Sequence, residues 1–215
     1  LDGLKAAGEL DKTLIVLLSD HGEELYRHHG YLYHSCSVYQ TTLHVPFGIV
    51  AEGLLPAGAV VPQVVELADA LPTLLDLLGV EKPKEQHGRS LVAYLERPGE
   101  GGRGKPAFSE YGLGPVRTVI EGDHKLVWNP TGFSPVCIPN VPPGHYPIAR
   151  AELYDLRKDP AETTNRADAD PARVRALAQR IDQRFAGIRG RAVPQDISPE
   201  LKKQLEAAGA QVELK

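Results

Sequence analysis

Chemistry-bearing side chains crowd one short stretch, SDHGEELYRHHGYLYH, Ser19–His34, which holds one Asp, two Glu and half of the chain's eight His. Imidazoles bind metals and move protons near neutral pH, and carboxylates hold hard cations. Asp20 and His21 are adjacent, so an oxygen and a nitrogen reach one divalent cation if the backbone turns sharply between them, which Gly22 permits. By itself an Asp-His-Gly triplet also suits Asp20 as an N-cap with His21 in an ordinary loop. His28, His29 and His34, following within 14 residues of Asp20, enlarge the supply of metal- and anion-binding groups.

The stretch is placed by what precedes it. Thr13–Ser19 has five consecutive aliphatics, Leu14 to Leu18, without alternation, the pattern of a strand buried on both faces in a mostly parallel sheet. Asp20 and His21 then stand at the carboxyl end of that strand, where ligands gather in α/β folds. A helix ending near Leu10 precedes the strand, and a second strand is expected over Val45–Val50. The run VELADALPTLLDLLGV predicts a core helix whose Leu67, Leu71, Leu74, Leu75 and Leu78 face inward, with Asp69 as N-cap, Pro72 in the first turn and Gly79 as the stop.

Gly, Pro and charge between Glu96 and Lys105 mark a subdomain boundary. Beyond it, short strands are expected at 106–111, 116–120, 125–128 and 152–156, with a turn at Glu121–Asp123. A long helix starts at Asp170 and Pro171 and carries Val174, Leu177, Ala178, Ile181, Phe185 and Ile188 on one stripe. A final short helix begins at Ser198. The proline-rich loop 129–150 is a candidate pocket cover bearing His145 and Tyr146.

Composition bounds the alternatives. With 215 residues, 42% of them hydrophobic, and a net charge of -4, the chain has core enough for a large domain and no basic excess suited to nucleic acid. No membrane-length apolar run or signal-peptide pattern occurs. There is no Met, so a longer primary product is expected. Cys36 and Cys137 fit no metal-site spacing and are expected as free thiols.

Taken in order, SDHGEEL, HHG, His34 and SVYQTTLHVPFGIV resemble the second metal-binding segment of the sulfatase family, within the alkaline phosphatase superfamily. VVELADALPTLLDLLGV, GRSL, VRTVIEGDHKLV, ELYDLRKDPAETTN and SPELKKQLEAAGA extend the resemblance over nearly the whole chain. It implies an α/β fold: the end of a mostly parallel-sheet catalytic domain over 1–97, then a small α+β subdomain over 98–215 with an antiparallel sheet and a long helix.

The resemblance further implies that Asp20 and His21 are two ligands of the active-site cation, calcium in sulfatases and manganese in related phosphonate or phosphodiester hydrolases. His34 takes the place of the family's Lys or His that touches the sulfate ester and assists the leaving group. His29 would organise the site, His28 would stand by, and Glu23 and Glu24 would be a solvated or supporting pair. The family nucleophile is a formylglycine from a C/S-x-P/A-x-R motif. Cys36 is followed by SVYQ and Cys137 by IPNV, so neither qualifies, and the nucleophile is expected in a preceding N-terminal part of the same enzyme. The chain alone is expected to be inactive. Export to the periplasm or medium is an expectation from the resemblance only, as is bacterial origin. A phosphonate monoester hydrolase or a noncatalytic accessory module are the alternatives.

Overall fold

A computed structural model describes residues 1–28, 34, 37–98, 104–111, 115–133 and 148–186. The chain divides into two compact units, Leu1–Ile181 and Asp182–Lys215; of the second, only the end of one helix is described. His29, Cys36, Cys137, His145, Tyr146 and the expected helix from Ser198 lie outside the described residues.

The first segment runs α1 (Asp2–Ala6), a 3-10 turn at Leu10–Lys12, β1 (Ile15–Leu18), α2 (Gln40–Leu43) and β2 (Phe47–Val50). Gly8, at φ +67°, ends α1 sooner than the expected Leu10, because only glycine takes that conformation without strain. β1 pairs antiparallel with β2, Ile15 opposite Val50 and Leu18 opposite Phe47. Among the described residues these two strands form their own sheet. Ile15 and Val16 are half-buried and Leu17 is 66% exposed, so burial on both faces is not seen in this chain.

A 3-10 turn at Leu67–Asp69 leads into α3 (Ala70–Leu77), followed by α4 (Val92–Glu96). α3 buries Ala70, Pro72 and Thr73, whereas of the leucine stripe Leu74 and Leu75 are half-buried and Leu67, Leu71 and Leu78 are exposed. Thr73 tolerates burial because its hydroxyl donates to the Asp69 carbonyl (2.6 Å) and accepts the Leu91 N–H (2.9 Å). Asp69 does not cap its own helix with its side chain. Its carboxylate instead accepts the N–H groups of Arg89 (2.8 Å) and Glu66 (3.0 Å), joining the turn after α3 to the start of the 3-10 turn.

The second half is a four-stranded antiparallel meander, β3 (Ala107–Glu110), β4 (Arg117–Glu121), β5 (His124–Trp128) and β6 (Ala151–Asp155), paired in chain order. Gly122, at φ +61°, makes the tight β4–β5 turn. α5 (Pro171–Phe185) opens with the Asp170 carboxylate accepting the Arg173 N–H (3.0 Å), the expected cap. Leu177, Ala178 and Ile181 are buried, and Arg180 reaches Glu121 of β4 at 3.4 Å. The core lies between this sheet and the segment after the histidine-rich loop: Val38 and Tyr39 cluster with Val116, Val127, Ile148 and Tyr154. That packing places the C-terminal sheet directly behind the residues singled out for chemistry.

Candidate metal centre

Beyond β1 the chain turns on its own polar side chains. The Ser19 hydroxyl donates to the His21 carbonyl (2.7 Å), and the His21 N–H donates to Asp20 Oδ1 (2.9 Å). His21 Nδ1 lies 3.0 Å from the Gly22 carbonyl. A carbonyl only accepts, so Nδ1 carries a proton, and in the neutral ring the Nε2 lone pair is the one available to a ligand. That Nε2 faces Asp20 Oδ2 at 3.6 Å. The Asp20 side chain is 86% exposed, with no protein cation holding it among the described residues.

His34 returns to the same place. Its ring stacks on His21 with centroids 3.8 Å apart and planes 26° apart, and its Nδ1 lies 2.8 Å from Glu23 Oε1. His21, Glu23 and His34 thus bring ligand atoms within 4.8 Å of one another. Of the sequence candidates, His21 and His34 come together with Glu23, which holds His34 by one nitrogen, while Asp20 meets His21 alone. His28 does not: its ring stacks on Tyr39 at 4.0 Å.

The turn is clamped from behind. The Gly22 N–H donates to the Thr42 carbonyl (2.9 Å), and a Cβ at Gly22 would sit 2.1 Å from the Thr41 carbonyl oxygen. Only glycine allows this approach. Glu24 is fully buried rather than solvated. Its carboxylate accepts the Ser37 hydroxyl, the Thr41 hydroxyl (2.8 Å) and the His28 N–H (2.9 Å), which is how a buried charge is tolerated.

A further buried layer ties segment 37–43 to the meander. The Tyr39 hydroxyl donates to Glu152 of β6 (2.9 Å), as does the Tyr154 hydroxyl (2.9 Å). The Gln40 N–H donates to Glu162 (2.5 Å), whose other oxygen pairs with Lys125 of β5 at 2.6 Å. Burial, then the Glu152 charge, push both tyrosine hydroxyls above the ordinary phenol range, so they remain donors. Burial pulls the Lys125 ammonium below its usual value, opposed by the carboxylates of Glu162, Glu152 and Glu24.

This layer was not legible as such. A lysine in a short strand reads as a surface hairpin group, whereas Lys125 is wholly enclosed. Two arginines are engaged in ion pairs: Arg117 with Glu110 at 2.7 Å, and Arg89 with Asp69. Within ELYDLRKDPAETTN, Glu152 and Glu162 belong to this buried layer while Asp159 and Asn165 build turns. Asp159 accepts the Thr163 and Thr164 N–H groups (both 2.9 Å at Oδ2), and Asn165 accepts the Leu153 N–H (3.0 Å).

Residues 1–80 match the sulfatase family model. Arylsulfatase K of Mus musculus is 28% identical over 182 residues, 80% of this chain and 30% of that protein. The solved structure of BT4656 with its substrate D-glucosamine-2-N,6-O-disulfate superposes with a TM-score of 0.68 at 26% identity, over 86% of this chain and 36% of that one. Residues 1–80 belong to the sulfatase family. The phosphonate monoester hydrolase of Agrobacterium radiobacter is similar as well, with a TM-score of 0.66 at 25% identity over 86% of this chain and 37% of that one. The chain spans about a third of the length of the curated relatives it matches. The fold is of the sulfatase α/β type, and here it contributes helices with antiparallel sheets.

A divalent cation fits the donors of this sulfatase-family segment. Two donors about 2.4 Å from one ion and at right angles to it stand about 3.4 Å apart. The Asp20 Oδ2 to His21 Nε2 distance of 3.6 Å is close to that, and the neutral ring with its proton on Nδ1 offers the facing nitrogen as a donor to a cation.

Proposed function

We propose that this chain is the C-terminal portion of a metal-dependent sulfatase that hydrolyses small sulfate esters. The observation that carries the reading is the cluster of His21, Glu23 and His34 beyond the end of β1, with Asp20 Oδ2 facing His21 Nε2 at 3.6 Å. Asp20 and His21 supply two of the ligands of a divalent cation, Ca2+ in this reading. Calcium takes about 6 to 8 oxygen-rich contacts, so the remaining ligands and the formylglycine nucleophile come from the preceding N-terminal part of the enzyme. Alone, the chain holds its cation weakly and does not turn over.

The bound cation supplies electrostatic stabilisation of the charge that develops on the ester oxygens. In the chemical step the nucleophile oxygen bonds to sulfur and the bond from sulfur to the alcohol oxygen breaks. His34, starting as an imidazolium whose Nδ1–H is donated to Glu23, gives that departing oxygen the proton on Nε2 and is left as the neutral ring with its proton on Nδ1. The Glu23 carboxylate therefore fixes the ring orientation and the tautomer, as acids do behind catalytic imidazoles.

Similarity to the phosphonate monoester hydrolase supports a second reading in the same chemistry, with Mn2+ and a phosphonate or phosphate ester. The full-length protein decides between them. Cation-dependent turnover of p-nitrophenyl sulfate, faster than that of p-nitrophenyl phenylphosphonate and abolished in Asp20→Ala, is the expected result. An unchanged rate in Asp20→Ala would refute the ligand assignment, and the reverse substrate preference would favour the second reading.

A further inference from the structure

We propose that Glu24 is a positioning residue for the metal centre, and that through it the C-terminal sheet sets the affinity for the cation. The inference rests on the reading of Asp20 and His21 as ligands. Glu24 stands four positions from Asp20, yet its carboxylate is not in the His21, Glu23 and His34 cluster and is filled by three donors, Ser37, Thr41 and the His28 N–H. Those donors leave it no role as a ligand. A buried carboxylate is an expensive way to fill space, and this one sits where a rigid strut is useful.

Two struts hold the ligand turn against segment 37–43: the Gly22 N–H on the Thr42 carbonyl and the Glu24 carboxylate on Ser37 and Thr41. Segment 37–43 is internally braced, since the Thr42 hydroxyl reaches both Ser37 Oγ (3.1 Å) and the Tyr39 carbonyl (3.0 Å). It is then fixed to the meander by Tyr39 on Glu152 and Gln40 on Glu162, with Lys125 closing the pair. An unbroken run of buried polar bonds therefore connects β5 and β6 to the backbone between Asp20 and Glu24. Ligands must be held to within about 0.5 Å of their working positions, and loss of groups that support ligands typically lowers metal affinity about 10- to 100-fold.

The test is calorimetric titration of the full-length protein with Ca2+ and with Mn2+, alongside ester turnover as a function of cation concentration. Glu24→Gln, which keeps the volume, is expected to raise the cation dissociation constant about tenfold. Turnover should return toward the unsubstituted rate at saturating cation, a rescue that a general loss of folding would not allow. Thr41→Val keeps the shape, removes one donor to Glu24 and touches no ligand, so it should shift the constant in the same direction. It carries the test if Glu24→Gln does not fold. Unsubstituted protein that binds cation while Thr41→Val and any folded Glu24→Gln bind it equally well overturns this inference alone. Failure of the unsubstituted protein to bind any divalent cation overturns the ligand reading and this inference together.

Discussion

Gly22→Ala tests the geometry of the ligand turn at its tightest point. The added methyl would sit 2.1 Å from the Thr41 carbonyl oxygen, 3.2 Å from its carbon and 3.3 Å from the Thr42 Cα. A carbon meets an oxygen no closer than about 3.3 Å, so the two backbones must part by about 1 Å. Neither is a flexible side chain that could swing aside. Parting stretches the 2.9 Å bond from the Gly22 N–H to the Thr42 carbonyl past useful length, at about 0.5–1.5 kcal/mol, and overpacking adds about 1–3 kcal/mol. A loss of about 2–4 kcal/mol is therefore expected on urea unfolding of the full-length protein. The displaced turn carries Asp20 and His21, and a 1 Å misplacement lowers catalysis about a hundredfold. Turnover of p-nitrophenyl sulfate should fall by about that factor under conditions where the variant is still folded. A variant with unaltered unfolding midpoint and unaltered rate would mean that the two segments are farther apart than 2.9 Å bonding requires, and the clamp would be wrong.

Two further outcomes follow from the buried layer and the turn behind it. Lys125→Met leaves Glu162 buried without its cation, a change that typically destabilises by about 3–5 kcal/mol. The double variant Lys125→Met/Glu162→Gln should recover much of that loss in urea unfolding, and a double variant no more stable than the single one would refute the pairing. Partial burial pushes the Asp159 carboxyl up, but donation from Thr163 and Thr164 outweighs it, holding the group below the ordinary 3.8. A carboxyl depressed in the folded state stabilises above its unfolded value and loses that contribution as pH falls through the folded one. Asp159→Asn should thus lose about 1 kcal/mol at neutral pH, discounted for solvent screening, and show a shallower fall in melting temperature below pH 3.8. An identical acid limb in both proteins would rule out this carboxylate as the cause.

Local rules made the C-terminal half readable. The Asp170 and Pro171 start, the Gly122 turn and the strands on either side of it depend on neighbours in sequence, and the structure has them within two residues of where propensity puts them. The centre was readable in part, because Asp20, His21 and His34 are types that carry chemistry wherever they fall. What sequence hid was direction. A stripe of leucines on α3 gives a period but not the side that is covered, and Thr73 took the inner face because Asp69 and Leu91 satisfy its hydroxyl. Glu24 follows Glu23 directly, and nothing local separates the acid that meets His34 from the acid that holds the backbone. Lys125, Glu152 and Glu162 matter through partners far along the chain, which no window of sequence contains.

That distance has a meaning in time. The Gln40 N–H waits for a carboxylate 122 residues later, and the Tyr39 hydroxyl for one 113 residues later. At a synthesis rate of about 5–20 residues per second, the first delay is about 6–25 s. During that interval Asp20 and His21 are already made, but the sheet that braces their turn is not. Asp20 and His21, proposed as ligands, therefore come early in this chain but gain their brace late, and a nascent chain halted before Glu162 presents them without it.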